Sequence, residues 1–314
     1  MDAPLWAWAA LIAAVIVLTI VDVAVFGRGQ SVISIKSAAI WSGVWLALGL
    51  GFTAIIYGAE DGTKAGEYVT GYLIERVLSL DNLFVFAIIF SYFGVPAHLQ
   101  PRVLLWGVLG ALVLRGIFIA IGAAALDAAH WVIYVFGAFL VYTAVKLGTS
   151  KGEEVHPERN IMLRLTRRVM PLTDGYRGTK VFTREGAKLM ATPLLAVFLV
   201  VASTDVIFAI DSIPAIFAIT TDTFIVFAAN AFAVMGMRAL YFLLAGALSR
   251  FQYLNYGLAV VLGLVGAKML ASSVYHPPIW LTLIVIIVVL SAAIGVSLWA
   301  TRGQGGRPLE AKPG

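Results

Sequence analysis

The sequence predicts an all-α, polytopic membrane protein of about nine transmembrane helices, six of them forming an inverted 3+3 repeat. Three observations predict it. Of the 314 residues, 61% are hydrophobic and only 12% are charged, against roughly 25% charged in a soluble domain. The apolar residues fall in segments long enough to cross a bilayer. The basic residues collect in alternate loops between those segments.

The predicted spans lie near residues 5–26, 37–58, 68–93, 102–125, 130–149, 191–217, 223–248, 254–273 and 279–300. The first has neither the basic n-region nor the cleavage site of a signal peptide, so it reads as a retained helix. Loop charges then set the orientation. Loop 27–36 holds Arg28 and Lys36, whereas 59–67 holds Glu60, Asp61 and Glu67 against Lys64. Arg102 borders the next loop, and 126–129 carries Asp127 with no basic residue. The long loop 150–190 is rich in Lys and Arg, with RLTRRVMPLTDGYRGTK at its centre. The turn at 218–222 has only Asp222, Arg250 lies in the next loop, 274–278 is uncharged, and the tail holds Arg302, Arg307 and Lys312. This alternation places the N-terminus outside and both the long loop and the C-terminus in the cytoplasm.

The organisation that follows has five parts. Residues 1–67 carry two N-terminal helices, 68–149 the first three-helix repeat, and 150–190 a basic, partly ordered cytoplasmic linker. Residues 191–273 carry the second, inverted repeat, and 274–314 the last helix and a cytoplasmic tail. The pI of about 9.4 reflects the basic loops beside apolar spans, which suit a lipid surface better than nucleic acid. The chain has no cysteine, which excludes disulfides, thiolate metal sites and cysteine nucleophiles. No nucleophile–base pair or cofactor motif lies in the spans, so neither enzymatic activity nor a bound cofactor is expected.

The repeat rests on charges in matching order. Glu75-x5-Asp81-Asn82, in LIERVLSLDNLFVF, matches Asp205-x5-Asp211-Ser212, in STDVIFAIDSIPAIF. The helix after each motif carries an arginine, Arg115 in VLRGIF and Arg238 in GMRALY. The helix after that carries a lysine, Lys146 in AVKLG and Lys268 in GAKML. Helices three to five thus match helices six to eight, and an odd number of spans per unit inverts the second copy.

A carboxylate in hydrocarbon costs about 2.5 kcal/mol or more even on the mildest scale, so four of them mark an ion site. Residues seven apart share a helix face to within about 20°. Glu75 and Asn82 are so spaced, as are Asp205 and Ser212, and Ser79 joins the Glu75 face. Asp81 and Asp211 lie about 120° round an ideal helix, so an unwound turn would help the acids converge. Pro214 can free the carbonyl of Ile210 for that purpose. The candidate ligands are Glu75, Asp81, Asn82, Asp205, Asp211 and Ser212. These hard oxygens suit Mg²⁺, Ca²⁺ or Mn²⁺, and the four histidines lie in or beside predicted loops.

Four carboxylates exceed the charge of one divalent ion, so some are protonated or neutralised by Arg115 and Arg238. A cation arriving at a protonated carboxyl favours the charged form and releases H⁺, which makes a proton the expected coupling ion. Lys146 and Lys268 balance charge or snorkel to the interface. Ser203 and Thr204 bond their own helix or line the path, Asn230 is a path residue, and Asp22 is an interfacial cap or loop partner. The alternative for the acids is a set of buried salt bridges that hold the bundle together.

GYLIERVLSLDNLFVFAIIFSYFGVP and STDVIFAIDSIPAIFAIT closely resemble the signature stretches of the TerC family of integral membrane proteins, with the Alx-type members most similar. The likeness extends to VLGALVLRGIF, YVFGAFLVYTAVK, ANAFAVMGMRALYFLLAG and YGLAVVLGLVGAKML. It implies a bacterial inner-membrane protein that exports Mn²⁺ and protects against manganese excess, with an older association with tellurium resistance. The family's key acids carry over onto Glu75, Asp81, Asp205 and Asp211, with Asn82 and Ser212 beside them. The residues alone choose neither manganese over magnesium or calcium, nor export over import. Two other functions fit the residues. One is a non-transporting membrane component that docks soluble stress-response partners through 150–190. The other is an exporter of a small organic cation, with Phe84, Phe86 and Phe208 as walls.

Overall fold

The computed structural model describes residues 3–26, 34–149, 160–185, 188–245, 253–274 and 277–301. Its helices are α1 (Leu5–Phe26), α2 (Ile35–Ala59), α3 (Gly62–Tyr92), α4 (Gln100–Ala128), α5 (Val132–Thr149), α6 (Ile161–Val169), α7 (Pro193–Phe217), α8 (Thr223–Met235), α9 (Met237–Leu244), α10 (Leu254–Leu270) and α11 (Ile279–Ala300). One hairpin, β1 (Phe182–Glu185) with β2 (Lys188–Ala191), precedes α7. Each of the nine predicted spans corresponds to a helix or, for 223–248, to the pair α8 and α9.

By length and composition six helices can cross a membrane, and seven when α8 and α9 count as one span bent by 41°. The 31-residue α3 falls outside that set because Glu75, Arg76 and Asp81 charge its middle. At 17 residues α10 is short, since a span needs about 20 residues at 1.5 Å each. Lipid-facing character is plainest in α1 and α11, whose spans are only 11% buried.

Local signals explain the helix ends. Asp61 caps α3 through Lys64 N at 2.8 Å, and Asp222 caps α8 through Phe224 N at 3.1 Å, each satisfying a backbone donor that the helix leaves open. The C-terminus of α3 closes with Gly94 at φ +56°, Gly94 N bonding Ser91 O and Val95 N bonding Phe90 O. Glycine takes that left-handed position without a Cβ penalty.

The six repeat helices interleave. The first helix of one unit packs chiefly on the second of the other: α3 lies along α8, and α7 along α4. The third helices, α5 and α10, cross each other closely, and their contacts come in exchanged pairs. A Cβ added at Gly266 would stand 3.0 Å from Val141 Cγ2, and one at Gly263 would stand 3.6 Å from Ala144 Cβ. The spacing from Lys146 to Lys268 carries each of these pairs into the other. It does the same for Gly137 with Leu270 (3.1 Å) and Gly148 with Ala259 (3.5 Å). Contacts whose residue numbers rise along one helix as they fall along the other show that α5 and α10 run antiparallel. Small residues allow the backbones this proximity.

One expectation changes. α7 runs as one helix through Pro214 to Phe217, so the proline near its end does not unwind it. The broken helix is instead the second of that repeat, at Gly236 between α8 and α9. The described part of the linker is anchored to the bundle. Asn160 caps α6 and donates to Ser203 Oγ at 2.9 Å, and the Tyr176 hydroxyl donates to Phe93 O at 2.9 Å. Leu163, Leu172, Tyr176 and Val181 join the apolar cluster around Phe90, Val95, Leu99 and Val197. Residues 150–159, with Lys151, His156 and Arg159, lie outside the described residues, as do Arg28, Arg250, His276 and the tail from 302.

Candidate cation site

The centre of the bundle is organised by one guanidinium. Arg115 enters from α4 and is 1% exposed. It forms an ion pair with Glu75 of α3, approaches Asp205 Oδ1 of α7 at 3.7 Å, and donates to Asn230 Oδ1 of α8 at 2.9 Å. Glu75 is fully buried, and Asp205 and Asn230 are each 2% exposed. These two acids are the first residues of the two motifs, so the repeat brings its matching positions onto one cation. Ionised carboxylates withdrawn from water require such a partner. Arg115 compensates one negative charge of the two.

A second layer surrounds a cavity of about 100 Å³. Its polar lining is Asn82, Arg115, Thr143, Lys146, Asp211 and Ser212. Thr143 of α5 donates to Asp211 Oδ1 at 3.3 Å. Ser212 Oγ is buried, as are Ser79 Oγ, Glu75 Oε2 and Asp205 Oδ2, and none of these four has a hydrogen-bond partner among the described residues. Buried oxygens of this kind are ordinarily satisfied, so they form an oxygen-rich surface with unused acceptor capacity. A larger cavity, of about 450 Å³, lies between α1 and α2 against the start of α8. Its walls are mainly alanine, isoleucine and aromatic side chains, which suit acyl chains rather than a cation.

The predicted residues therefore divide. Glu75, Asp205, Arg115 and Asn230 meet directly, and Asn82, Asp211, Ser212 and Lys146 share the cavity that Arg115 closes. The side chain of Asp81 lies outside the described part of α3. Among the described residues, no three His, Cys, Asp or Glu side chains gather as a preformed metal cage. Thr204 bonds Val200 O of its own helix at 2.8 Å, and Ser203 does the same at 2.9 Å while accepting from Asn160.

Arg238 pairs with an acid outside the two motifs. Its Nη1 donates to Asp22 of α1 at 2.5 Å, and both groups are buried. Lys268 lies at the opposite end of α10, within electrostatic reach of Glu67. There Thr220 donates to Glu67 at 2.6 Å, and Lys64 pairs with Glu67 and Asp222 at 3.2 Å each. Of the acids in predicted loop 59–67, Asp61 caps α3 and Glu67 belongs to this network.

Two participants were not anticipated. Thr143 gives no signal in an apolar segment, where threonine usually bonds its own helix. Arg76 does give one: it stands next to Glu75 inside a predicted span, and a buried arginine needs a partner. It is 8% exposed and donates to Ala233 O of α8 at 2.8 Å.

Comparison with known proteins places the chain among integral membrane proteins. The Integral membrane protein TerC family matches residues 60–305. A Myxococcus xanthus protein, "Uncharacterized membrane protein STKORF319", is 47% identical over 298 residues, covering 94% of this chain and 92% of that one. The Salmonella typhi protein "Putative membrane-bound redox modulator Alx" is 44% identical over 301 residues, 93% of this chain and 94% of its own. A Mycobacterium bovis protein, "Uncharacterized membrane protein Mb2742", is 39% identical over 274 residues, 85% of this chain and 68% of its own. No solved structure matches.

Proposed function

The chain belongs to the TerC family of integral membrane proteins, and from that membership and its buried acids we propose that it exports Mn²⁺ across the bacterial inner membrane in exchange for protons. The observation that carries the reading is the Arg115-bridged pair of Glu75 and Asp205 beside an oxygen-lined cavity. Carboxylates at such a position are costly unless they serve an ion path. Asp211, Asn82, Ser212 and Thr143 offer hard oxygens, which suit Mn²⁺. Counting Asp81 and Asp211, Arg115 and Lys146 leave two of the four acids uncompensated in the empty site, so protons complete the balance there and leave when the divalent cation binds. The loop charges support an N-terminus outside, with 150–190 and the C-terminus in the cytoplasm. Protection against manganese excess, and the family's tie to tellurium resistance, belong to this reading.

The test is Mn²⁺ flux in proteoliposomes under an imposed pH gradient, comparing the natural protein with Asp211→Asn. Flux driven by the gradient and lost in the variant is the expected result; no flux in either direction ends the proposal. A second reading follows from the Alx relatives, which are named membrane-bound redox modulators. This chain has no cysteine, so its own thiols cannot act in that role. A redox effect would then follow from the metal it moves. Docking of soluble partners through 150–190, or export of an organic cation, would leave Mn²⁺ flux absent.

A further inference from the structure

We propose that Arg238 and Arg115 are alternating counter-charges for the Glu75–Asp205 pair, and that Asp22 holds Arg238 off that pair in the conformation described above. The inference rests on the transport reading and names the residues that regulate its site.

The two arginines occupy equivalent places. Arg115 follows Gln100, the first residue of α4, by 15 positions, and Arg238 of α9 follows Thr223, the first residue of α8, by the same number. Their surroundings are opposite. α4 is continuous through Val113, two residues before Arg115, and delivers its guanidinium to Glu75 and Asp205. The corresponding place before Arg238 is Gly236, where α8 ends and α9 departs at 41°. The bend turns Arg238 to Asp22, on a helix outside the repeat.

The break is filled rather than loose. A Cβ at Gly236 would stand 2.6 Å from Arg76 Nη1, 2.7 Å from Nη2 and 2.8 Å from Trp45 Cβ. Arg76 also takes the Ala233 carbonyl at the break, which replaces a bond that a straight helix would make internally. Asp22 Oδ1 is buried with no hydrogen bond among the described residues, as are Glu75 Oε2 and Asp205 Oδ2, so both sites keep acceptor capacity for a guanidinium. Among the described residues, Arg76 lies against this break and Asp22 takes Arg238 just beyond it.

In transporters built from inverted repeats, the second conformation arises when the two units exchange shapes about a fixed site. Exchange here straightens α8 into α9 and brings Arg238 to Glu75 and Asp205, while Arg115 withdraws. The acids then hold a guanidinium in both end states and are open to a cation only between them. Such alternation would suppress leak of a cation through the empty protein.

The test uses the natural absence of cysteine. Leu147, in the cavity wall, is replaced by Cys and its labelling by a water-soluble maleimide is timed in detergent, together with Mn²⁺ binding. Asp22→Asn releases Arg238, so it should slow labelling and weaken Mn²⁺ binding by about fivefold or more. Adding Arg238→Gln should restore both. A merely structural pair would lower the melting temperature yet leave labelling of the folded protein unchanged, and that result overturns the proposal. Should Asp22→Asn not fold, Asp22→Asn/Arg238→Gln, which removes both charges, must bind Mn²⁺ normally but not carry it; normal flux overturns the proposal. A labelling response without any Mn²⁺ flux in the natural protein would keep the exchange and reject the manganese reading.

Discussion

Arg115 of α4 donates to Asn230 of α8 at 2.9 Å and so joins the two three-helix units at the level of their buried acids. An amide beside the guanidinium takes a proton that neither carboxylate accepts. The arginine is thereby held against Glu75, with Asp205 Oδ1 3.7 Å away.

Arg115→Gln should accordingly unfold the centre. It leaves two carboxylates buried without a cation, a loss of about 3–5 kcal/mol. Thermal unfolding in detergent should show a large drop that Asn230→Ala reproduces only in part. Equal effects of the two variants would mean that the ion pairs contribute little.

Thr143→Val keeps the volume and removes the hydroxyl that Asp211 accepts at 3.3 Å. The protein should fold normally and bind Mn²⁺ about fivefold more weakly, corresponding to one hydrogen bond of about 1 kcal/mol. Isothermal titration checks this; an unchanged affinity would place Thr143 outside the cation's reach.

The α5–α10 crossing is sensitive to a single methyl. A Cβ at Gly266 would meet Gly137 O at 2.9 Å, Leu140 Cβ at 3.0 Å and Val141 Cγ2 at 3.0 Å. Gly266→Ala should destabilise by about 1–3 kcal/mol. Gly110→Ala, with nothing within 4 Å, should be neutral in the same melting assay.

The linker's anchor should respond to alkali. Burial pushes the Tyr176 hydroxyl from its usual 10.0 up to about 12, so the folded protein holds that proton more tightly than the unfolded chain does. The stabilisation is fully present below the unfolded value and is lost as pH rises through the folded one. Protease resistance of 150–190 should stay constant at neutral pH and fall between about 10 and 12. Tyr176→Phe should be more readily cut at neutral pH, having lost a bond of about 1 kcal/mol.

Apolar length and the energetic cost of a charge in lipid made the spans and the acids readable from sequence. The same cost made Arg115 readable as a partner for them. It could not assign Arg238, because choosing between Asp205 and Asp22 depends on a bend that one glycine permits. Gly236 looks no different from the other small residues of α8. Pro214, a far stronger local signal, produced no break because it lies three residues from the end of α7. Thr143 was hidden for a related reason: its role comes from a crossing between α5 and α7, not from its own helix.

The interleaving of α3 with α8 and α4 with α7 has a consequence for how the chain is made. Neither half owns a complete interior, so α3, α4 and α5 must wait in the bilayer until the later spans emerge from the ribosome. Glu75 and Arg115 belong to the same half and can neutralise each other during that wait. Asp205 arrives later and finds its counter-ion already in place. Halves expressed from separate genes, cut between 150 and 160, should each be degraded alone and accumulate only when synthesised together.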